Sequence, residues 1–364
     1  MTSPLLNVEW ESCLLQPTHD PVLEAYARRH TGLPHPTIRY FARAPWVART
    51  MVQWLPEHGL LVELDLHLSD LIGLVVSQEN SCRFCYAAVR ALLRIQGMSE
   101  ERIQRLEQQL ARVDVEPKLA AVVRFARRLS HSNPPIGEAD VRALRDAGFG
   151  AAAVREIAFA VVASVMMNRT STIAAVPPQA MEGTPELLYV RWLRPLIARW
   201  LDLYRKPGHA VSLPAAPAGP FKQVVQAFDG SPIAPLLART LDEMWAAPAL
   251  TQRCRALLFA VVARGLGASQ SEAEARALLA GCGMEMEHVS YALAHLDAAE
   301  LDAVERELLP FARETIWYEP VQLQRRARQL GERLNAEQLT DAIGVVSLAN
   351  ALCRLQMTVS ATKD

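Results

Sequence analysis

Apolar residues along this chain recur mainly at intervals of three and four. Segments 116–130, 138–147 and 151–168 set Val, Leu, Ile, Phe and Ala at helical spacing within stretches rich in Arg and Glu, the pattern of helices with a buried face. Val62, Leu64, Leu66 and Leu68 alternate, but Leu68, Leu71, Leu74 and Val75 settle into helical spacing. No turn signal joins two alternating runs, so no hairpin is predicted. Residues that stop helices fall between the periodic segments, at Gly97, Asn133-Pro134-Pro135, Gly148 and Pro177-Pro178. The pattern predicts an all-α fold.

The same pattern recurs along the chain. Ala44-Pro45 and Ala48-Arg49-Thr50 return as Ala234-Pro235 and Ala238-Arg239-Thr240, an offset of 190. Leu71, Val75 and Val76 return as Leu257, Val261 and Val262, and Arg90-Ala91-Leu92-Leu93 with Gly97-Met98 as Arg276-Ala277-Leu278-Leu279 with Gly283-Met284, both at 186. Arg169 meets Arg354 at 185. A near-constant offset over about 100 residues predicts two tandem helical-bundle repeats. Residues 207–220 (PGHAVSLPAAPAGP) are rich in Pro, Ala and Gly and read as a linker. The expected division is a domain at 1–206, the linker at 207–220 and a second repeat at 221–364. An amphipathic helix over 185–205, with Trp192 and Trp200, is expected to pack across the boundary.

Composition narrows the function. Of 364 residues 51% are apolar, so both halves can bury a core, and a net charge of −1 offers no electrostatic basis for nucleic acid or an anionic membrane as partner. The start of the chain has neither a basic patch nor a continuous apolar core, and the longest apolar run, 157–167, falls short of the roughly 20 residues that span a bilayer. A cytoplasmic protein is expected. Six cysteines in such a protein predict catalytic or metal-binding chemistry for any close pair rather than a disulfide framework.

The close pair is Cys82-Arg83-Phe84-Cys85. Asn80 and Ser81 precede it as candidate helix caps, and residues 82–95 have helical character. A cysteine in the first turn of a helix is favoured as thiolate by the dipole and free N–H groups, and Arg83 adds a positive charge. Such a thiolate can attack a substrate and be resolved by its neighbour as a disulfide. Structural zinc and inert buried thiols are the alternatives. A single pair supplies two of the four ligands zinc needs, and the other cysteines (Cys13, Cys254, Cys282, Cys353) are scattered. No cofactor-binding or metal-binding motif is read, and no glycine-rich nucleotide loop is visible. A thioredoxin arrangement is not expected, because no strand leads into the pair.

Asp70 to Gln96, continued through PPIGEADVRALRDAGFGAAAVREIAFAVVASVMMNRTS, resembles the alkylhydroperoxidase D-like / carboxymuconolactone decarboxylase-like family. The family pattern is a Glu, a Cys-x-x-Cys twelve residues on, a His four past the second Cys, and a downstream Gly-Phe and Asn-Arg, here Gly148-Phe149 and Asn168-Arg169. The resemblance spans most of residues 20–180. It implies an all-helical bundle that forms a homo-oligomer, a peroxide or thiol-disulfide reaction through the two cysteines, and an external thiol as electron donor. It also implies Cys85 as nucleophile, Cys82 as resolving residue, and a Glu–His proton relay.

Two positions depart from that pattern. The Glu is Asp70 and the His is Val89. An antiparallel hairpin turning near residue 80 would set Asp70 opposite Val89 and Arg90, so Asp70 is expected either in the site or paired with Arg90. Glu79, His67 and Tyr86 are candidate substitutes for the relay, each with a bland alternative: surface charge, surface polar residue and packing aromatic. In the second repeat Cys82, Cys85, Asp70 and Val89 map to Ala268, Ser271, Ala256 and Ala275, so that half is expected to be structural, with Cys254 and Cys282 as buried thiols. The expected function is a thiol-dependent oxidoreductase acting on a peroxide, a small molecule or a partner disulfide. The alternatives are a decarboxylase or lactone-acting enzyme without redox turnover, and a non-catalytic helical scaffold.

Overall fold

The structure is a computed structural model that describes residues 5, 8–31, 37–55, 59–131, 134–183, 188–213, 215 and 219–362. Asn133 and parts of 207–220 lie outside the described residues. The fold is all-α: among the described residues there is no β-strand beyond one isolated bridge between Val211 and Gly230.

In the first half, α1 (Pro21–Thr31) and a 3-10 turn lead to α2 (Pro45–Gln53), α3 (Leu66–Glu79), α4 (Arg83–Ile95), α5 (Glu100–Arg112), α6 (Pro117–His131), α7 (Glu138–Asp146) and α8 (Ala151–Ile173). A crossover continues through α9 (Gln179–Gly183), α10 (Leu188–Tyr204) and α11 (Lys222–Gln226). The second half runs α12 (Ile233–Ala246), α13 (Gln252–Leu266), α14 (Ser269–Gly281), α15 (Met286–His295), α16 (Ala303–Trp317), α17 (Pro320–Gly331) and α18 (Ala336–Ala361). The starts of α13, α14, α15 and α16 each fall 186 residues after those of α3, α4, α5 and α6, and α18 starts 185 after α8.

One hydrophobic core runs through both halves. At its centre α8 packs along α18, and α3 and α13 flank them. Both α8 and α18 are long and apolar enough to cross a membrane, yet 67% and 94% of their apolar windows are buried inside the protein. Their composition is that of core helices with no face left for water.

Buried arginines join the halves. Arg354 on α18 donates from Nε to the Leu129 and Ser130 carbonyls (both 3.1 Å) and from Nη2 to His131 O (3.3 Å), all at the end of α6. Its counterpart Arg169 on α8 donates from Nε to Thr315 O (3.3 Å) at the end of α16. Each guanidinium thus meets the carbonyl end, and the negative dipole end, of a helix in the other half. Trp46 Nε1 also crosses, to Asp341 Oδ1 at 2.7 Å, while Arg255 pairs with the other oxygen of that carboxylate.

Two expectations change. Of the helix expected over 185–205, residues 185–187 lie outside the described residues and the rest is α10, which leaves Trp192, Leu193, Leu196 and Leu203 exposed instead of burying them across the boundary. Its inward contribution comes from Arg205 just beyond its end, which reaches Asp70. Cys254 is buried, as expected, whereas Cys282 is exposed.

Close approach between α18 and α2 requires Gly344. A Cβ there would lie 2.3 Å from Val47 Cγ2 and 2.8 Å from Trp46 Cζ2. Gly344→Ala is expected to destabilise the protein by about 1–3 kcal/mol despite the better helix propensity of alanine. Gly281→Ala, with nothing within 4 Å of its Cβ, is expected to be neutral or stabilising. Urea unfolding of the two variants checks the contrast.

Candidate functional site

The site forms where α3 ends and α4 begins. Asn80 closes α3, Ser81 takes the left-handed conformation (φ 47°), and Cys82 is itself the N-cap of α4. The expected caps Asn80 and Ser81 make the turn instead. The Cys82 N–H donates to Ser77 O (3.0 Å), and the Cys85 backbone N–H donates to Cys82 Sγ at 3.4 Å. A sulfur thus occupies the position usually held by a Ser or Asp oxygen, at the positive end of a helix.

Both cysteines are free thiols; Cys82 is fully buried and Cys85 is half-buried. Burial pushes the Cys82 thiol up, but hydrogen bonds from the Cys85 side chain, the Thr172 side chain and the Cys85 and Phe84 amides outweigh it, and the net shift is downward. Burial and the neighbouring Cys82 thiolate hold Cys85 well above the ordinary thiol range, with the Ser171 hydroxyl opposing them. Hence the first proton to leave the pair leaves Cys82, while Cys85 is the less buried residue of the two. Burial pushes Cys353 up to about 12, with the Ser271 hydroxyl near the start of α14 opposing it.

The wall facing the pair comes from the end of α8 and from the second half. Asn168 is buried and its Oδ1 accepts from Ser77 Oγ (3.3 Å). Arg169 is buried with its guanidinium over the Tyr318 ring, 4.5 Å from the centroid, and its burial lowers its pKa to about 10. The Tyr318 hydroxyl lies 2.7 Å from Thr172 Oγ1 and 3.1 Å from Asn168 O. No sequence signal pointed to Tyr318, Thr172 or Ser171. Tyr318 comes directly after α16, more than 230 residues beyond the cysteines, and the serine and threonine lie in a helix whose residues all look like core.

The remaining candidates are engaged elsewhere. Asp70 is buried in a two-point ion pair with Arg205 (Nη2–Oδ1 2.7 Å, Nη1–Oδ2 3.0 Å) and accepts from Gln96 Nε2 at 3.4 Å. It does not pair with Arg90, whose guanidinium holds Glu107 and Glu100. The hairpin register is the cause: Asp70 meets Gln96, and the α3 position facing Val89 is Gly73, whose Cβ would lie 3.5 Å from Val89 Cγ2.

Tyr86 is buried, donates to Glu107 Oε1 (2.6 Å) and accepts from Arg90 (2.9 Å). Glu79 binds Arg127 Nε (2.7 Å) and His131 Nε2 (3.1 Å), and these partners, His131 foremost, lower its pKa. His67 is exposed in the first turn of α3. Arg83 is held by Glu182 at 2.6 and 3.1 Å, so its charge is largely neutralised.

Residues 57–128 match the model of the carboxymuconolactone decarboxylase family. The matched segment is similar to that family. It spans α3 to most of α6 and contains Asp70, both cysteines and Val89. No curated protein and no solved structure matches the chain.

The Asp70–Arg205 pair ties the family segment to the crossover. Arg205→Met would leave a buried carboxylate without its cation and is expected to cost about 3–5 kcal/mol. Asp70→Leu combined with Arg205→Met is expected to recover most of that loss, because no isolated charge remains. Chemical denaturation of the single and double variants measures the difference.

Proposed function

We propose that this chain is a thiol–disulfide oxidoreductase that cycles Cys82 and Cys85 between dithiol and disulfide. The observation that carries this reading is the division of labour in the pair: a buried, helix-capping Cys82 with a lowered pKa beside a half-buried Cys85. The family match supports an enzyme of this general type. The recurrence of helix order supports the second half as a duplicated copy without the cysteines.

The chemistry balances within the pair. The Cys82 thiolate takes the proton of Cys85, and the Cys85 thiolate attacks one sulfur of a substrate disulfide. The S–S bond breaks, a mixed disulfide forms on Cys85, and the other sulfur leaves as thiolate. That leaving thiolate or solvent takes the Cys82 proton. Cys82 then attacks the Cys85 sulfur, the second substrate sulfur leaves, and the Cys82–Cys85 disulfide remains. An external dithiol restores the pair by the reverse exchange, becoming oxidised itself.

A disulfide suits this site better than a peroxide. A departing thiolate, with a parent pKa of about 8.5, needs no proton. A departing alkoxide or hydroxide, with a parent pKa near 16, needs an acid beside it. Val89 offers none, and Asp70 is held by Arg205. Missing acid–base help costs about 10²–10⁴-fold, so peroxide turnover is expected to be slower than disulfide turnover by a factor in that range.

Turnover of an aromatic disulfide with dithiothreitol as donor tests the proposal. The native chain should turn over, Cys85→Ser should not, and Cys82→Ser, lacking both the base and the resolving sulfur, should form only a mixed disulfide on Cys85, slowly, when the donor is omitted. The rate should rise with pH as Cys82 loses its proton and level off below the ordinary thiol value of 9.0, because the folded thiolate is favoured. Absence of turnover, with both thiols alkylated at the rate of free cysteine, would remove the redox reading. A second reading, action on a small carboxylate or lactone, draws on Arg169 Nη1, which lacks a hydrogen-bond partner among the described residues. Thermal stabilisation by one small carboxylic acid, in a chain inactive toward disulfides, would favour it.

A further inference from the structure

Helix α10 carries large apolar side chains on its outer side. Trp192, Leu196 and Leu203 are 82%, 65% and 67% exposed, and Arg199 is exposed between them. Their spacing of four, three and four residues puts all four on one helical face. The stripe they form is about 16 Å long, and Leu193, also exposed, borders it.

The other side of the helix is the one bound to the protein. There α10 rests on α4, with Ile197, Ala198 and Leu201 half-buried. Arg194 Nη2 stands 3.6 Å from the point where a Cβ on Gly97 would lie, and Arg205, just past the helix end, binds Asp70. A surface helix of a globular protein shows the reverse arrangement, with apolar residues inward and charges outward. An outward apolar stripe of this kind marks an interaction surface.

Charge narrows the partner. The net charge of −1 is an average over 38 basic and 39 acidic residues. Between 188 and 206 the sequence holds Arg191, Arg194, Arg199, Arg205 and Lys206 against Asp202 alone. Arg205 is neutralised by Asp70, whereas Arg199 and Lys206 are exposed and make no ion pair among the described residues. A second copy of the chain laid on the stripe by a two-fold axis would set two basic helices face to face, like charge against like. An anionic lipid surface meets both features. Trp and Leu side chains enter the boundary between headgroups and acyl chains, where an indole is favoured. Arg and Lys reach the lipid phosphates by extending their stems. Such a helix lies in the plane of a membrane instead of crossing it.

We propose that α10 is a membrane-surface helix, and that its stripe of Trp192, Leu196 and Leu203 docks the protein on a bilayer containing anionic phospholipid. Docking of this kind does not depend on the thiol chemistry, so the two can fail separately.

The test is co-sedimentation of the full-length chain with vesicles of phosphatidylcholine, and with vesicles of equal parts phosphatidylcholine and phosphatidylglycerol, at low and high sodium chloride. The chain should bind the anionic vesicles, come off as salt rises, and bind the neutral ones far less. Arg199→Gln should weaken anionic binding roughly fivefold, the effect of one basic residue near such a surface. Trp192→Ser combined with Leu196→Ser should weaken it by roughly tenfold or more. Arg264→Gln, which removes an exposed arginine on α13, should leave it unchanged. All these side chains are exposed, so each variant should keep the fold, which urea unfolding checks.

Absence of binding to the anionic vesicles overturns the proposal. So does equal binding to both kinds, or a loss on Arg264→Gln as large as on Arg199→Gln. A dimer that the Trp192→Ser/Leu196→Ser variant dissociates in sedimentation equilibrium, without vesicle binding, would give the face to a second copy. Capture by soluble polyglutamate, without vesicle binding, would give it to an acidic protein. Either result sinks the membrane assignment. Disulfide turnover in solution, without vesicles, decides the redox reading on its own.

Discussion

Two buried arginines, each sunk into the carbonyl end of a helix from the other half, hold this molecule together. Arg354 of α18 caps α6, and Arg169 of α8 caps α16. A guanidinium removed from water is costly, and burial lowers the pKa of both. The cost is offset by open carbonyls that would otherwise be buried without donors. The exchange fixes α8 beside α18, joins the two cores into one, and sets the end of α16, with Tyr318, against the cysteine-bearing turn.

The chemistry of the site depends on where the two sulfurs fall on α4. Their difference in place, cap against first turn, separates them. Cys82 receives the amide donors of the helix start and Cys85 does not. Since both are shielded from water, these few hydrogen bonds outweigh solvation in deciding which sulfur ionises first. Residue exposure runs the other way, Cys85 being the less buried of the two.

Polar side chains expected beside the thiols are engaged in structural contacts instead. Asp70 closes the crossover onto α3 through Arg205, and Tyr86 joins Arg90 and Glu107 in a buried network beside α5. Valine at 89 packs toward Gly73. The result is a thiol pair with hydroxyl and amide neighbours rather than carboxylate and imidazole ones.

The sequence by itself determined the helices, because apolar spacing and helix stops are local: 116–130, 138–147 and 151–168 correspond to α6, α7 and α8. It also determined that the cysteines begin a helix, since residues 82–95 carry a helical face from the Cys-x-x-Cys run onward. The tertiary structure alone decided which partner each charged residue takes. Asp70 chose Arg205 over Arg90 because the α3–α4 register sets it beside Gln96, a shift of about one turn that periodicity cannot resolve. Tyr318 meets Thr172 and Asn168 because Arg169 draws the end of α16 inward. Local spacing fixes which face of a helix is buried; long-range packing fixes what that face meets, and the reactivity of the two thiols depends on the second.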